Sequence, residues 1–338
     1  MLHVHVKSAF VAIFLAVSVL LVGLGGFLAT LPRFRRKLRS FGDYPADFQW
    51  PVKDGFFHFH VSPELFRQLA FDSAGVLVTE YPSPIGRQHN PVAIAGLALS
   101  LVPYLDEPAM TDVFRKQIDS LLSYGQRTAA GGLLYPFHFD FPPHREKAPW
   151  YSAMAQGHAV SAFLWGHRLF REPVYEQAAR DSIRPLIDEN SPLVKRLENG
   201  QWLMEYPDDR FQVMDGSLAA IAGVYDLWKS LPPNDPLKGP VENCLRQALR
   251  GLKTNAAAFR CLLGGHYYSD DRTIVSPSYA GANLAWLHYL SAFDAELLSM
   301  RKGFVPPNAT WFKCIALYWN AFNRRVRKPL HLARPRIR

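Results

Sequence analysis

One short loop of this sequence places an acid, a phenol and a proline side by side. Glu205, Tyr206 and Pro207 follow one another directly, before an apolar stretch with helical spacing. A glutamate becomes a useful general base when it is withdrawn from water, because desolvation raises its pKa. An exposed glutamate in an ordinary turn is the alternative interpretation. The loop is therefore a candidate site of proton transfer.

A second loop gathers phenols and a guanidinium. It runs from Gly264 to Arg272, includes Tyr268, and continues through Ser276 to Tyr279. A phenol normally titrates near ~10, so it needs a nearby arginine or other tyrosines to work closer to neutral pH. Arginine can also hold a carboxylate by two parallel hydrogen bonds. Tyrosines in loops are more often surface or core residues, and both interpretations stay open.

A third segment combines aromatic and polar residues at the start of a predicted helix. It spans residues 149–158 and contains Trp150, Gln156 and Gly157. Gln156 is polar within an otherwise apolar helix start, which is consistent with a binding role. Gly157 is equally consistent with close packing of two helices, because glycine has no side chain.

Four stretches of the sequence resemble the D-glucuronyl C5-epimerase family, which acts on heparosan and related chains. They are HNPVAIAGLALS, WYSAMAQGHAVSAFL, WLMEYPDDRFQVMDGSLAAIAGVYDLW and PSYAGANLAWL, and they follow the family's order. The MAQG and EYP strings are the most specific of these. The family fold is an incomplete (α/α) barrel with β-structure before it, so the resemblance implies that architecture here.

The resemblance also implies an active site. Its catalytic residues would be Glu205, Tyr206, Tyr268 and Tyr279. The residues expected to bind substrate are Arg87, His89, Trp150, Gln156, Trp202, Asp215, Arg272 and Asn283. The chain departs from the family pattern at His89, Gly96, Asp215 and Asn283, with aspartate at 215 where the family has asparagine. These departures make an altered uronate polymer or linkage plausible.

The implied reaction inverts C5 of uronate residues within a polysaccharide, for example from D-glucuronate to L-iduronate. It removes a weakly acidic proton beside a carboxylate and returns one to the other face, so it needs a base on each side and stabilisation of the enolate between them. Glu205 and Tyr279 are the expected bases, and Arg272 or Arg87 would hold the carboxylate. The enzyme would be an isomerase, with neither a cofactor nor a metal expected.

Two alternatives remain open. A uronate polysaccharide lyase would form the same C5 carbanion and then expel the 4-O-linked sugar by β-elimination. A non-catalytic, membrane-tethered polysaccharide-binding or assembly protein would account for the departures from the family pattern, whereas the glutamate and the tyrosines favour an enzyme.

The spacing of apolar residues predicts a mainly α chain preceded by a small β-hairpin region. Residues 74–81 are a predicted strand that ends at Pro82, and helical spacing begins at Asn90. The predicted helices cover 91–105, 108–126, 151–170, 173–188, 215–230, 240–258, 279–300 and 310–325. Paired helices in this number are typical of an incomplete (α/α) toroid, in which the active site lies at the ends of the inner helices.

The two ends of the 338-residue chain carry most of its net charge of +9. Residues 8–32 are uncharged and longer than the ~20 residues that cross a bilayer, which predicts a retained single-pass transmembrane helix rather than a cleaved signal peptide. The basic residues at 33–39 favour a cytoplasmic domain, whereas the resemblance implies the Golgi lumen. The predicted regions are an anchor (1–40), a β-rich region (41–90), a catalytic domain (91–303) and a basic amphipathic C-terminal helix and tail (304–338).

The expected partners follow from this layout. They are an anionic, uronic-acid-containing polysaccharide and the membrane lipid, while no module for nucleic acid is recognisable. The aromatic share of 13% suits stacking on sugar rings, although a core rich in phenylalanine explains it as well. The family's known forms imply a possible homodimer. The three cysteines are widely spaced and are expected to be buried thiols.

Overall fold

The computed structural model of the chain describes residues 48–59, 63–207, 211–261, 265–270 and 272–305. The predicted anchor at 8–32, its basic flank and the predicted helix at 310–325 lie outside these residues and stay predictions. No helix within the described residues is long and apolar enough to cross a membrane.

The described part of the chain is mainly helical, as predicted. It contains eight helices of nine or more residues: α1 (Pro91–Leu101), α2 (Pro108–Tyr124), α3 (Ala153–Phe170), α4 (Pro173–Ile187), α5 (Met214–Ser230), α6 (Lys238–Phe259), α7 (Pro277–Leu290) and α8 (Glu296–Phe304). Shorter helical turns lie at Pro63–Phe66, Val102–Tyr104 and Pro142–His144. Most predicted helices are therefore present, with ends shifted by a few residues.

The prediction of a single helix over 279–300 is wrong, because the chain turns between α7 and α8. The Ser291 N–H donates to the Leu287 carbonyl at 3.1 Å at the end of α7. Asp294 then accepts the backbone N–H of Glu296 at 3.1 Å, at the start of α8. Lys253 of α6 lies 2.7 Å from each of these two carboxylates. An acidic side chain that satisfies an exposed N–H favours the start of a new helix.

The helices pack as four consecutive hairpins, α1 with α2, α3 with α4, α5 with α6 and α7 with α8. The odd-numbered helices also pack against one another in chain order. Helices α3 and α5 are buried on almost all sides, whereas α2, α4 and α6 bury one face. Uniformly apolar helices thus form an inner row and amphipathic helices cover it.

Helices α3 and α5 approach each other so closely that no side chain fits between them at two positions. A Cβ on Gly157 would lie 2.5 Å from the Ala220 Cα atom, and a Cβ on Gly223 would lie 2.3 Å from the Gly157 carbonyl oxygen. Close helix packing is therefore the role of Gly157, one of the two roles that the sequence left open.

Short antiparallel strands accompany the helices within the described residues. The strands are β1 (Val52–Lys53), β2 (Phe56–Phe57), β3 (Ala70–Phe71), β4 (Leu77–Tyr81), β5 (Gly86–Gln88), β6 (Gln126–Arg127), β7 (Leu133–Leu134), β8 (Val194–Leu197) and β9 (Gly200–Leu203). They pair as β1-β2, β3-β4-β5, β6-β7 and β8-β9. Strands β1 to β5 precede the helices, as predicted, whereas β6 to β9 lie between helices and were not predicted.

The N-terminal ends of α3, α5 and α7 meet at one end of the bundle. The Ala153 N–H of α3 donates to the Met204 carbonyl just beyond β9, at 2.9 Å. The Met214 N–H of α5 donates to the Tyr268 carbonyl at 3.0 Å, and the Tyr268 ring packs on Tyr279 in the first turn of α7. The loops that precede these inner helices therefore lie at the same end of the helical bundle.

The turn between β1 and β2 closes the opposite end. Asp226 of α5 accepts hydrogen bonds from Ser161 Oγ of α3, at 2.8 Å, and from the Tyr289 hydroxyl of α7. Lys229 lies 3.2 Å from the same carboxylate and donates to the Gly55 carbonyl in the β1–β2 turn. The contacts around the buried Asp226 carboxylate therefore join α3, α5 and α7 to the β1–β2 hairpin.

A candidate active site at the ends of the inner helices

Glu205 lies two residues beyond β9, beside the start of α5. The residue is 8% exposed, and the nearby backbone N–H of Gly216 lowers the pKa of its carboxyl against the larger effect of burial. A Cβ on Gly216 would lie 2.2 Å from Glu205 Oε2, so this glycine allows the carboxyl to approach the helix. Within the described structure, Oε2 is buried without a hydrogen-bond partner. Glu205 is thus a buried acid with one oxygen still available.

Asp215 occupies the first turn of α5, directly before the glycine that Glu205 contacts. The residue is 3% exposed, and its own backbone N–H and that of Gly216 favour its ionised form. Its Oδ1 atom is buried without a hydrogen-bond partner in the described part of the chain. The N-terminus of a helix favours negative charge, because its dipole and its unpaired N–H groups point outward there. Two carboxyls therefore meet at one helix start.

Three tyrosines surround this carboxyl pair. Tyr206 follows Glu205 directly, and Tyr268 and Tyr279 pack edge to face with ring centroids 5.6 Å apart. All three phenols interact electrostatically with both carboxyls. The structure thus brings together the four predicted catalytic residues, and it adds Asp215, which the sequence assigned to substrate binding.

The two carboxyls are both harder to ionise than free side chains. Burial raises the pKa of Glu205 well above its usual range, and the nearby Asp215 raises it further. Burial raises the pKa of Asp215 from 3.8 to about 7. Two like charges in one desolvated site oppose each other. The two carboxyls are therefore the part of the cluster whose charge changes near neutral pH.

The phenols stay protonated in that range. Burial, followed by the nearby carboxyls, raises the pKa of Tyr279 from 10.0 to about 12. Burial also raises the pKa of Tyr206 and that of Tyr268 well above the usual value. Each phenol is consequently a hydrogen-bond donor at neutral pH. The Tyr279 side chain is 50% exposed, which leaves it accessible from solvent.

Tyr81, which the sequence did not single out, also reaches this cluster. It ends strand β4 and contributes to the raised pKa of Tyr279. Its hydroxyl accepts a hydrogen bond from Asn90 Nδ2 at 2.6 Å, and Asn90 caps α1 by accepting the N–H of Val92. The start of the fourth inner helix therefore joins the same end of the bundle. The only signal in the sequence was a tyrosine at a predicted strand end.

An aromatic wall borders the cluster, and it comes from the loop between β7 and α3. The His144 ring stacks on Tyr206 with centroids 3.7 Å apart and planes 6° apart. Phe141 lies nearly parallel to Tyr206 at 5.9 Å, and Trp150 lies 5.7 Å from it. Trp150 is itself fixed by stacking on Phe137 at 3.8 Å. Sequence reasoning found Trp150 but missed His144, which no motif marks.

Gln156 is not available to bind substrate, which corrects the expectation from the MAQG string. Its Nε2 donates to the carbonyls of Leu133 and Ser182 at 2.7 and 2.8 Å, so both amide hydrogens are used. Its Oε1 accepts the Tyr135 N–H at 3.3 Å. A fully buried amide bonded to three backbone groups fixes the loop that carries the aromatic wall.

Trp202 and Asn283 also lie in the interior. Trp202 is stacked flat on Phe259 of α6, with centroids 5.2 Å apart and planes 3° apart, so it is a core residue rather than a substrate contact. Asn283 lies one turn after Tyr279 on α7, fully buried, with Nδ2 3.1 Å from His266 Nε2. This contact joins α7 to His266 in the loop before that helix.

The predicted cationic residues do not join the cluster in the described structure. Arg87 is exposed and lies 3.5 Å from Glu80, on the face of the β4–β5 hairpin opposite to Tyr81. His89 Nε2 lies 2.9 Å from Asp72 Oδ2. Arg272 is exposed and acts electrostatically on Tyr267. The expectation that Arg87 or Arg272 holds the substrate carboxylate is thus unsupported by the described contacts.

No group of three or more His, Cys, Asp or Glu side chains within the described residues could hold a metal ion. The two described cysteines, Cys244 and Cys261, are buried free thiols, as expected from their spacing.

A family sequence profile described as the D-glucuronyl C5-epimerase C-terminus matches residues 130–319, more than half of the chain. The comparison with curated proteins gives no match. Among solved structures, a GH76 α-mannanase from Bacteroides thetaiotaomicron is 11% identical with a TM-score of 0.44, covering 90% of this chain and 84% of that one. A polysaccharide lyase is 12% identical with a TM-score of 0.39, covering 91% and 88%.

Neither structural likeness is close enough to carry an argument. The family match includes the loop of Glu205, the start of α5 and the first turn of α7, so it spans the elements that form the cluster. The chain belongs to the D-glucuronyl C5-epimerase family, whose C-terminal region it matches over residues 130–319.

Proposed function

We propose that this protein epimerises uronate residues at C5 within a polysaccharide. The observation that carries the proposal is the meeting of Glu205 and Asp215 with Tyr206, Tyr268 and Tyr279 at the N-terminal ends of inner helices. Carboxyl and phenol groups are the donors and acceptors that proton exchange at a carbon acid requires. Membership of the epimerase family supports the same class of reaction.

The reaction begins when a carboxylate of the cluster removes the C5 proton. The electrons of the C–H bond move into the uronate carboxylate and form an enolate. A proton returned to the other face of C5 restores the uronate with inverted configuration. Glu205 follows β9 and Tyr279 lies in the first turn of α7, so the two groups belong to different elements and are suited to opposite faces of the sugar.

The same cluster has groups that stabilise the enolate. Tyr206 and Tyr268 are protonated near neutral pH, because burial raises the pKa of both. Fixed O–H donors lower the energy of a developing oxyanion more than water does, since they are already oriented. The N-terminus of α5 adds a positive potential at the same place.

The surroundings suit a sugar polymer. Sugar rings have apolar C–H faces that pack on aromatic side chains, and Phe141, His144 and Tyr206 form such a wall beside the carboxyls. The half-exposed Tyr279 leaves the cluster open on one side. We further propose that the four helical hairpins form one arc of an incomplete (α/α) toroid with this site at its mouth.

The direct test is incubation of the protein with uronate polysaccharides in D₂O, followed by proton NMR. The proposal predicts deuterium at C5 and new iduronate-type signals. Tyr279→Phe should reduce turnover by about 100-fold or more, because it removes a proton donor or acceptor, and it should leave polymer binding largely intact. Tyr104→Phe is the matched control, because Tyr104 follows the far end of α1, and it should keep wild-type activity.

The other outcomes distinguish the alternatives. Unsaturated products that absorb in the ultraviolet would establish a lyase. Binding of the polymer without any exchange at C5 would contradict the proposal and favour a non-catalytic polysaccharide-binding protein. Full activity of Tyr279→Phe would show that a group other than Tyr279 transfers the proton on its face of the sugar.

A further inference from the structure

The two buried carboxyls at the start of α5 lie beside the same glycine. The backbone N–H of Gly216 favours the ionised form of both Glu205 and Asp215 by lowering the pKa of each, and a Cβ on Gly216 would lie 2.2 Å from Glu205 Oε2. Each also keeps one oxygen, Oε2 and Oδ1 respectively, that is buried without a hydrogen-bond partner among the described residues. An unpaired buried carboxylate oxygen is costly. A proton held between the two groups would relieve that cost.

The charges around the pair lead to the same conclusion. The titratable groups that face it within the described structure are Tyr206 beyond β9, Tyr268 in the loop before α7 and Tyr279 on α7. Phenols carry no positive charge, so these three do not compensate a second carboxylate charge. Two adjacent carboxylates in a desolvated site do not both ionise readily, and one keeps its proton.

We propose that Glu205 and Asp215 hold a single proton between them and that this pair, rather than Glu205 alone, is the base that takes the C5 proton. The inference rests on the proposed epimerase function and adds a role for Asp215, which tunes Glu205 through its charge.

The proton balance of a turnover is complete with this pair. The fully ionised pair accepts the C5 proton and holds it between its two carboxyls, while the C–H electrons form the enolate. Tyr279 then gives its proton to the opposite face of C5 and becomes a phenolate. Transfer of one proton from the pair to Tyr279, through water or a neighbouring phenol, restores the starting state. No oxidant or co-reactant is consumed.

The Asp215 carboxylate should have a measurable effect on Glu205 as a base. Its negative charge makes Glu205 bind a proton more tightly, which strengthens Glu205 as a base toward a weakly acidic C–H group. The same charge means that the pair reaches its fully ionised, proton-accepting form only at a higher pH. Asparagine at position 215 would remove both effects while it keeps the side-chain shape.

The first arm of the test is the pH profile of C5 deuterium exchange in wild type and in Asp215→Asn. We expect the acidic limb of the rate profile to move to lower pH by about one unit or more, together with a lower plateau rate. Asp112→Asn makes the same change of charge at an exposed position of α2 paired with Lys116, and it should leave the profile unchanged. If Asp215 had a purely structural role, Asp215→Asn would lower the exchange rate without moving the acidic limb of the profile.

The second arm does not depend on activity. The carboxyl carbons of ¹³C-labelled glutamate and aspartate are titrated by NMR in the protein without substrate. We expect the Glu205 resonance to titrate at lower pH in Asp215→Asn than in wild type, and the Asp215 resonance to titrate at lower pH in Glu205→Gln. Interacting sites shift each other in both directions. Thermal melting verifies that each variant folds.

The outcomes separate this inference from the function on which it rests. Unchanged titration midpoints in both variants would overturn the shared proton, whatever the activity. Shifted midpoints in a protein that exchanges no deuterium on any polymer would overturn the base role and the proposed function, while the shared proton would stand. An unmoved acidic limb in an active Asp215→Asn enzyme would likewise contradict the base role of the pair.

Discussion

The chemistry of Glu205 follows from its surroundings more than from its residue type. Burial and the neighbouring Asp215 both raise its pKa, and Gly216 is the residue that lets the two carboxyls come together. An ordinary surface glutamate would be fully ionised at neutral pH and a weak base toward carbon. The same arrangement must also make the protein's stability depend on pH.

The stability of the fold should therefore decrease as pH rises through the range in which the pair ionises. The pKa of Asp215 is raised from 3.8 to about 7 by burial. A carboxyl with a raised pKa contributes its full stability below its unfolded-state pKa and loses it as pH approaches the folded-state value. The free energy of unfolding of wild type should fall by a few kcal/mol between about pH 4 and about pH 7.

Urea denaturation at a series of pH values measures the slope of the free energy of unfolding against pH. Asp215→Asn should flatten it, because the variant has no second charge to bury, and Asp112→Asn should retain it. The same slope in Asp215→Asn as in wild type would mean that the ionisation of the pair does not limit stability.

The arrangement of the elements explains how distant parts of the sequence form one site. The odd-numbered helices lie side by side, and the loops before α3, α5 and α7 are joined by hydrogen bonds at one end. The opposite end is fixed by Asp226, which bonds to Ser161 and Tyr289. The site depends on the close approach of α3 and α5 between these two ends.

A methyl group at the α3–α5 crossing should separate these helices. In Gly223→Ala the new Cβ would lie 2.3 Å from the Gly157 carbonyl oxygen, so the backbone must move. We expect a loss of several kcal/mol of stability, in the range of severe core substitutions of about 3 kcal/mol or more. Gly239→Ala in α6 is the matched control, since its Cβ would meet nothing within 4 Å, and it should be neutral or slightly stabilising.

Thermal melting of the two variants checks this prediction. Equal melting temperatures for Gly223→Ala and wild type would show that the two helices can move apart without cost, and would remove the reason for a glycine at that crossing.

The sequence predicted which loops meet in the cluster better than it predicted which polar side chains stay free to contact a ligand. Glu205, Tyr206 and Tyr279 lie in strings that match the family, and periodicity predicted most of the helices. Gln156 was misassigned, because a polar residue in a motif serves backbone hydrogen bonding as readily as substrate binding. Tyr81 was missed because its contact with the cluster depends on how the β4–β5 hairpin packs, which local patterns do not show.

At the scale of the whole molecule, the fold separates the end that carries the carboxyl–tyrosine cluster from a closed end. The loops before the inner helices form the first, and the β1–β2 hairpin closes the second. Helix dipoles of the inner row point their positive ends toward the cluster, which suits an anionic polymer. The ends of the chain remain predictions based on composition alone.

We predict that residues 8–32 anchor the protein in a membrane. Their uncharged length exceeds the ~20 residues needed to span a bilayer, so the full chain should sediment with membranes after alkaline extraction. A variant that begins at residue 41 should remain in the supernatant. Recovery of the full chain in the supernatant would indicate that the segment is cleaved or does not insert.

If the protein exchanges the C5 proton of a uronate polymer reversibly, it must bring the polymer to one equilibrium from both sides. Separate samples of a glucuronate-rich and an iduronate-rich form of the same polymer are incubated with the protein in D₂O and followed by proton NMR. We expect both samples to reach the same mixture of the two uronates, with deuterium at C5 in each. Unchanged uronates without deuterium, or unsaturated sugars from either sample, would contradict it.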